Sequence, residues 1–314
     1  MAVIFAFASA CSYAANQLFI RRGRQSLSAN LAAICTLIVD NICNAILLII
    51  LWFFGKLVWP HPAAIPFFIM GGFFANFLGR ITLFPTINYL GAARSGILGL
   101  SSPVATLVLG VFLLHERPTP LVLCGLLVVL TGLFFIAFEQ EREQNASNAH
   151  KKFIPVHFTE SYMPAKWVNS NYFYVALGIA SGLLFGIGSF WRKIGLNISS
   201  TIIPGVAIGS LTSLIVAVIY AKLTDKNLSL REIPNVLRNK NYVAAGIFTA
   251  CAQYMFFTAM SLTMVSIANM IKSTTPLFTM LFGRLFLQKL EAISKRVLLY
   301  GLIVMIGAIL IVLG

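Results

Sequence analysis

The chain of 314 residues is 59% hydrophobic and only 10% charged, whereas soluble domains carry about 45–50% apolar and about 25% charged residues. This composition excludes a soluble enzyme, a disordered chain and a coiled coil. The formal net charge of +14 is attributed to basic loops that face anionic lipid, and not to nucleic-acid binding. A helix that crosses a bilayer needs about 20 mostly apolar residues, so the sequence predicts a polytopic, all-α membrane protein.

Ten apolar stretches between polar breaks are predicted to be membrane-spanning helices. In chain order they cover residues 2–20, 31–54, 65–90, 93–114, 119–138, 172–191, 202–221, 242–262, 265–288 and 296–313. No basic residue precedes the first stretch, which therefore resembles a retained helix more than a signal peptide. Because the longest polar connection separates two groups of five helices, we predict a first unit over 1–138, a linker loop over 139–171 and a second unit over 172–314.

The two halves carry the same motifs in the same order. At one constant offset, Ser101-Ser102-Pro103-x-x-Thr106-x-x-x-Gly110 recurs as Thr274-Thr275-Pro276-x-x-Thr279-x-x-x-Gly283, and Asn76 and Arg80 correspond to Thr249 and Gln253. This agreement indicates an internal duplication. Repeats with five spans each must lie in opposite orientations, and inverted repeats are typical of secondary transporters, whose substrate site lies near the midplane.

Further motifs add a family resemblance that covers nearly the whole chain. They are Gly-Ala-Ala-Arg-Ser-Gly at 91–96, Ser-Ser-Pro at 101–103, Leu-Leu-His-Glu-Arg at 113–117, Gly125 and Gly132, repeated more weakly by Lys272 to Pro276, Glu291, Gly301 and Gly307. Together they resemble the EamA domain of the drug/metabolite transporter superfamily. The resemblance implies two inverted five-helix repeats around a central cavity. It also implies alternating access for amino acids, nucleotide-sugars and other small solutes.

Three ionisable residues are predicted near the middles of helices, where a charge is costly and indicates function: Asp40, Arg80 and Lys272. Each has an amide about one turn away on its own helix face: Asn44, Asn76 and Asn269, respectively. We therefore predict that Arg80, Lys272, Asn76, Asn269 and Gln253 bind the substrate.

Asp40 and Asn44 are predicted to carry a coupling proton or to belong to a structural ion pair between Asp40 and Arg80. In either case Lys272 has no carboxylate left among the predicted mid-span residues. An anionic group on the substrate is therefore expected.

Two prolines, Pro103 and Pro276, are predicted near the middles of the fourth and ninth helices. Proline lacks an N–H group, so the carbonyls of Gly99 and Lys272 would be freed, and in a bilayer they need other donors. The hydroxyl residues beside them are Ser101, Ser102, Thr274 and Thr275. These segments are predicted to form a packing kink, the flexible wall of the cavity, or both.

The sequence thus predicts a secondary active transporter of small polar metabolites, anionic or zwitterionic, working by alternating access in the plasma membrane. Its expected partners are the solute, membrane lipids, and protons or an exchanged solute, and it is expected as a monomer or homodimer. No metal is expected, because histidines and cysteines lack ligand spacing. No enzyme activity is expected either, because no nucleophile–base pair is evident, and no nucleic acid or cofactor is expected. The alternatives are a membrane-embedded enzyme acting on a lipid-linked substrate and a non-transporting partner subunit. Basic residues in odd-numbered connections favour termini outside the cell, whereas the resemblance implies cytoplasmic termini.

Overall fold

A computed structural model of the chain describes residues 1–23, 29–90, 98–147, 171–224, 237–287 and 295–313. Within these residues the structure is helical, and no strand occurs. The helices are α1 (Ala2–Gly23), α2 (Ala29–Phe53), α3 (Ile65–Gly71), α4 (Gly79–Leu90), α5 (Ser101–Leu113), α6 (Pro120–Ser147), α7 (Asn171–Ile198), α8 (Ile202–Thr224), α9 (Lys240–Leu262), α10 (Val265–Lys272), α11 (Thr275–Leu287) and α12 (Lys295–Leu313). A 3₁₀ turn over Pro62–Ala64 precedes α3, and a π-helical segment over Gly72–Leu78 joins α3 to α4.

Six of the described helical stretches are long and apolar enough to cross a membrane: Ala2–Ile20, Ala33–Phe53, Pro62–Leu83, Tyr172–Ile198, Ile202–Leu223 and Lys240–Leu262. Two shorter apolar helices cover Ser101–Leu113 and Pro120–Gly132. Large apolar side chains such as Ile49, Trp52 and Phe53 are exposed on α2. An exposed apolar helix face of this kind suits contact with lipid acyl chains, so the expected class of all-helical membrane protein is confirmed.

Two helices continue seven or more residues past their predicted ends. Helix α7 continues from the predicted end at 191 to Ile198, and α6 continues from 138 into the expected linker as far as Ser147. Hydropathy marks where an apolar stretch ends, but a helix continues through polar residues as long as its backbone hydrogen bonds are made. Arg192 and Lys193, which follow the predicted end of the sixth helix, therefore lie inside α7.

The position predicted for the two prolines is wrong. The expected ninth helix is divided between α10 and α11 at Ser273 and Thr274, so Pro276 is the second residue of α11. Pro103 is likewise the third residue of α5. A proline is tolerated in the first turn because the N–H groups there have no partner within the helix. Both prolines begin helices and do not kink the middle of one.

The described helices divide into two compact units, of which the first comprises Met1–Phe77 and Gly188–Glu291. In this unit α9 packs against α1, α2, α8 and α10, and α1 also packs against α10 and α11. Small residues let the helices approach closely, as is common in membranes. A Cβ atom added to Gly72 would lie 2.1 Å from the carbonyl oxygen of Gly209 in α8. A Cβ atom on Gly246 of α9 would lie 2.4 Å from Cβ of Val39 in α2.

The second unit comprises Leu78–Ile187 and Ala292–Gly314. Here α6 packs along α12, and the Arg296 guanidinium donates a hydrogen bond of 3.2 Å to Glu139 of α6. The glycines at 178, 182 and 186 of α7 approach Leu98, Ser101 and Ala105. Their small-xxx-small spacing therefore serves helix packing.

We expect Gly72→Ala to lower the free energy of unfolding in detergent, because the new methyl group would overlap the backbone of α8. Overpacking of this kind costs about 1–3 kcal/mol. The matched control is Gly99→Ala, since a Cβ atom at Gly99 would have no atom within 4 Å. Denaturant titration of both variants measures the effect, and equal stability of the two would contradict the close approach.

Candidate functional site

Four buried polar side chains of the first unit form one hydrogen-bonded series. Arg192 Nη2 donates to Asn76 Oδ1 at 2.8 Å, and Asn76 Nδ2 donates to Gln253 Oε1 at 2.9 Å. Gln253 Nε2 then donates to Asp40 Oδ2 at 2.8 Å. All four residues are less than 5% exposed, and they come from α7, the π-helical segment, α9 and α2. We call these four side chains the Asp40–Arg192 network.

The direction of every hydrogen bond in this network follows from its two ends. A guanidinium group has donors only and an ionised carboxylate has acceptors only. Asn76 must therefore turn its oxygen towards Arg192 and its nitrogen towards Gln253, and Gln253 must turn its nitrogen towards Asp40. Two amide groups thus connect a buried cation to a buried anion, which reduces the cost of holding both charges away from water.

Local backbone features bring Asn76 and Arg192 together. Asn76 lies in the π-helical segment Gly72–Leu78, and such single wide turns are frequent at functional sites. A Cβ atom on Gly71 would lie 2.5 Å from Cγ of Arg192, and one on Gly188 would lie 2.5 Å from Cβ of Ala75. Because these two glycines have no side chain, α7 lies close enough to the π-helical segment for the Arg192 side chain to reach Asn76.

A second polar cluster extends the first along α2 and α9. Asn44 Nδ2 donates to Ser210 Oγ at 2.6 Å, and Ser210 Oγ donates to Asn41 Oδ1 at 3.1 Å. The Tyr254 hydroxyl donates to Asn44 Oδ1. Asn44 lies one turn from Asp40, and Tyr254 follows Gln253. Polar side chains of α2 and α9 therefore form two hydrogen bonds between these helices, one turn apart.

Two cations of the first unit lie over neighbouring aromatic rings of α9. Lys272 Nζ is 4.2 Å from the ring centroid of Phe256, and Arg192 Cζ is 5.3 Å from that of Phe257. Both distances are within the range of a cation–π interaction.

Lys193, the neighbour of Arg192, has a different role. Its ammonium group donates to the backbone oxygens of Met260 and Thr263 at 2.6 and 2.8 Å. These carbonyls belong to the C-terminal end of α9, where a helix has no internal donors left and where its dipole favours a cation. Lys193 therefore caps α9, and the carbonyl oxygens at the end of that helix stabilise its positive charge.

The structure brings together some of the residues predicted for the site. Asp40, Asn76 and Gln253 lie in one network, and Lys272 belongs to the same unit. Asn269 is fully buried three residues before Lys272 in α10. Asn44 lies in the adjoining polar cluster. Arg80 is half-buried in α4, which belongs to the second unit.

The helix-break residues are placed as follows. The Thr275 hydroxyl donates to the backbone oxygen of Lys272 at 2.6 Å, as the sequence predicted for a carbonyl near Pro276. Ser102 and Pro103 are buried at the start of α5. Gly99 lies just before α5, with open space where a Cβ atom would be.

Sequence reasoning missed Arg192 as a site residue because it followed the predicted end of the sixth helix. Its signal was present: Phe190-Trp191-Arg192-Lys193 resembles Phe19-Ile20-Arg21-Arg22 of the first half. Gly195 continues the close helix packing beyond the apolar stretch, because a Cβ atom there would lie 2.7 Å from the ring of Phe68. Tyr254 and Ser210 were also missed, since neither carries a charge.

Fold and composition define the chain as an all-helical, multi-pass integral membrane protein. It matches the EamA-like transporter family over residues 1–138 and 172–313 and belongs to that family. A protein of known crystal structure is similar in fold, with a TM-score of 0.69 and 14% identity over 99% of this chain and 96% of its own. No curated protein matches the sequence.

We expect Gln253→Glu to disrupt the Asp40–Arg192 network, because it places a carboxylate oxygen where an N–H group now faces Asp40. Two buried carboxylates would then face each other without an added cation. This arrangement should lower the free energy of unfolding by about 3 kcal/mol or more. The double variant Asp40→Asn/Gln253→Glu should recover stability, because it exchanges the acid and the amide, so that an N–H group at position 40 again donates to an oxygen at position 253.

The matched control is Gln17→Glu, at an exposed position where a carboxylate can still accept the hydrogen bond from Thr279. Thermal unfolding in detergent compares the variants. A double variant no more stable than Gln253→Glu alone would contradict the assigned hydrogen-bond directions.

Proposed function

We propose that the protein is a secondary active transporter of small polar metabolites that carry a negative charge, either anionic or zwitterionic. The observation that carries this proposal is the buried Asp40–Arg192 network, in an apolar unit that also holds the cation Lys272 over the ring of Phe256. On insertion scales, each charged group at mid-membrane costs about 2.5–3.5 kcal/mol. Such groups are typical of substrate and ion pathways, and membership of a transporter family supports the same interpretation.

We further propose ten membrane-spanning helices in two inverted five-helix repeats around a central cavity, with transport by alternating access. The two separate family matches and the repeated Ser-Ser-Pro and Thr-Thr-Pro motifs support this arrangement. The plasma membrane is the proposed location, and a monomer or homodimer is the proposed assembly.

In this proposal Lys272, Asn76, Asn269, Gln253 and Arg80 keep the substrate-binding role that the sequence predicts for them. Amide groups suit this role because they donate and accept hydrogen bonds without adding charge.

Asp40, with Asn44 one turn away, is the proposed site of proton coupling. Protonation of Asp40 would remove the negative charge that compensates Arg192 through the two amides. An anionic substrate would then be bound more favourably, and by reciprocity the bound anion would favour the proton. A proton and an anion would thus cross together.

Uptake of labelled solutes into proteoliposomes tests the proposal. Lys272→Ala should weaken uptake of an anionic or zwitterionic substrate by roughly 30-fold or more, as expected for loss of a buried charged contact. Lys222→Ala is the matched control, because Lys222 is exposed at the end of α8. Recovery of the solute unchanged inside the vesicles distinguishes transport from an enzymatic reaction. Equal uptake by wild type, Lys272→Ala and protein-free vesicles would refute the proposed function.

The helix starts at Pro103 and Pro276 are proposed to let the cavity wall flex. Pro276→Ala supplies an N–H group and allows α10 and α11 to form one continuous helix across Ser273 and Thr274. We expect the variant to insert and fold but to transport more slowly. Initial rates at saturating substrate measure the effect, and wild-type rates in both Pro103→Ala and Pro276→Ala would assign these prolines to packing.

A further inference from the structure

We propose that Lys193 is a positioning residue that sets the place of α10, the short helix that carries Asn269 and Lys272. Its ammonium group ties α7 to the turn in which α9 ends and α10 begins. This inference rests on the proposed transport function, in which Asn269 and Lys272 bind the solute. It deepens that function by naming a residue that acts on the binding helix from another helix.

Lys193 contacts the connection between α9 and α10 directly. Thr263 and Met264 alone separate the two helices, and both have extended backbone conformations. Lys193 Nζ donates to the carbonyl oxygen of Met260, in the last turn of α9, at 2.6 Å, and to that of Thr263 at 2.8 Å. The backbone N–H of Thr263 donates to the carbonyl oxygen of Ala259 at 3.1 Å. One ammonium group therefore holds both the end of α9 and the residue at which the chain leaves it.

Helix α10 is short and is bounded by turns at both ends. The turn at Thr263 and Met264 precedes it, and the break at Ser273 and Thr274 follows its eight residues. Such a helix takes its direction from the contacts at its ends and from its packing against α1 and α9. Because eight residues rise about 10 Å along the axis, a rotation of about 10° at the start of α10 moves Lys272, its last residue, by about 2 Å. The hydrogen bond to Thr263 acts at the end where such a rotation begins.

The residue before Lys193 connects α7 to the Asp40–Arg192 network. Arg192 donates to Asn76 at 2.8 Å and lies over the ring of Phe257 in α9. Because Arg192 and Lys193 are consecutive residues of one helix, a shift of α7 moves both sets of contacts together. Helix α7 thereby links the network to the position of α10.

Hydrogen exchange of the purified, full-length protein, followed by mass spectrometry, tests this role without any solute. Lys193→Met keeps the length of the side chain but removes the ammonium donors. We expect the amides of α10 to exchange about 10-fold faster or more, as for the loss of a hydrogen bond to a charged group. Lys193→Arg keeps a charged donor and should leave exchange close to that of the wild type. Lys222→Met, at the exposed end of α8, is the matched control.

A lysine that only caps α9 gives a different result. In that case Lys193→Met would accelerate exchange in the last turn of α9 alone, and the amides of α10 would exchange as in the wild type. That result, or unchanged exchange in both helices, would overturn the proposal. If Lys193→Met does not fold, Lys193→Gln, which keeps a neutral N–H donor, is compared with Lys193→Arg in the same way and with the same two outcomes.

Uptake of labelled amino acids and monocarboxylates into proteoliposomes tests the connection to binding. Lys193→Met should raise KM about 10-fold or more, with a smaller change in the maximal rate, because the binding residues of α10 are displaced. Lys193→Arg should restore KM. A wild-type KM in Lys193→Met, with only a lower yield of folded protein, would overturn the positioning role. Absence of uptake by the wild type would instead refute the proposed transport function, and hydrogen exchange would still decide whether Lys193 positions α10.

Discussion

The first unit depends on one constraint: a buried carboxylate, Asp40, and a buried guanidinium group, Arg192, compensate each other through two amides. Asp40, Gln253, Asn76 and Arg192 lie on four helical elements, so this compensation fixes how those elements pack. The glycines at 71 and 188 follow from the same constraint, because a side chain at either would displace Arg192 or the segment that carries Asn76. In the first unit, the close packing of the helices and the compensation of the buried charges therefore depend on each other.

The same constraint connects structure to the proposed transport. The hydrogen bonds of the Asp40–Arg192 network polarise one another. A ligand that adds or removes a charge at this network therefore changes the strength of all of them. Lys272 adds a positive charge in the same unit, over the ring of Phe256. An anion bound there and a proton on Asp40 would each change the charge that holds the elements together. Binding is thereby linked to helix packing, as alternating access requires.

Much of the fold and of the candidate site was predictable from the sequence, and the predictions that failed did so for physical reasons. Apolar stretches gave the helices, and the cost of burying polar groups pointed to Asp40, Asn76 and Gln253. Arg192 was placed after the end of its helix because a prediction from hydropathy stops at the first basic residues. An arginine that has a hydrogen-bond partner can nevertheless lie buried within a helix. The break before Pro276 was missed because proline fits a first turn as well as it kinks a helix middle. The π-helical segment around Asn76 has no sequence signature that hydropathy reveals.

A double-mutant cycle on Asp40 and Arg192 tests the central claim most directly. The free energy of unfolding in detergent is measured for Asp40→Asn, Arg192→Gln and the double variant. If the two charges compensate each other through Gln253 and Asn76, the double variant should lose less stability than the two single losses added together, by about 1 kcal/mol or more. Additive losses would show that the carboxylate and the guanidinium are independent and would contradict the account.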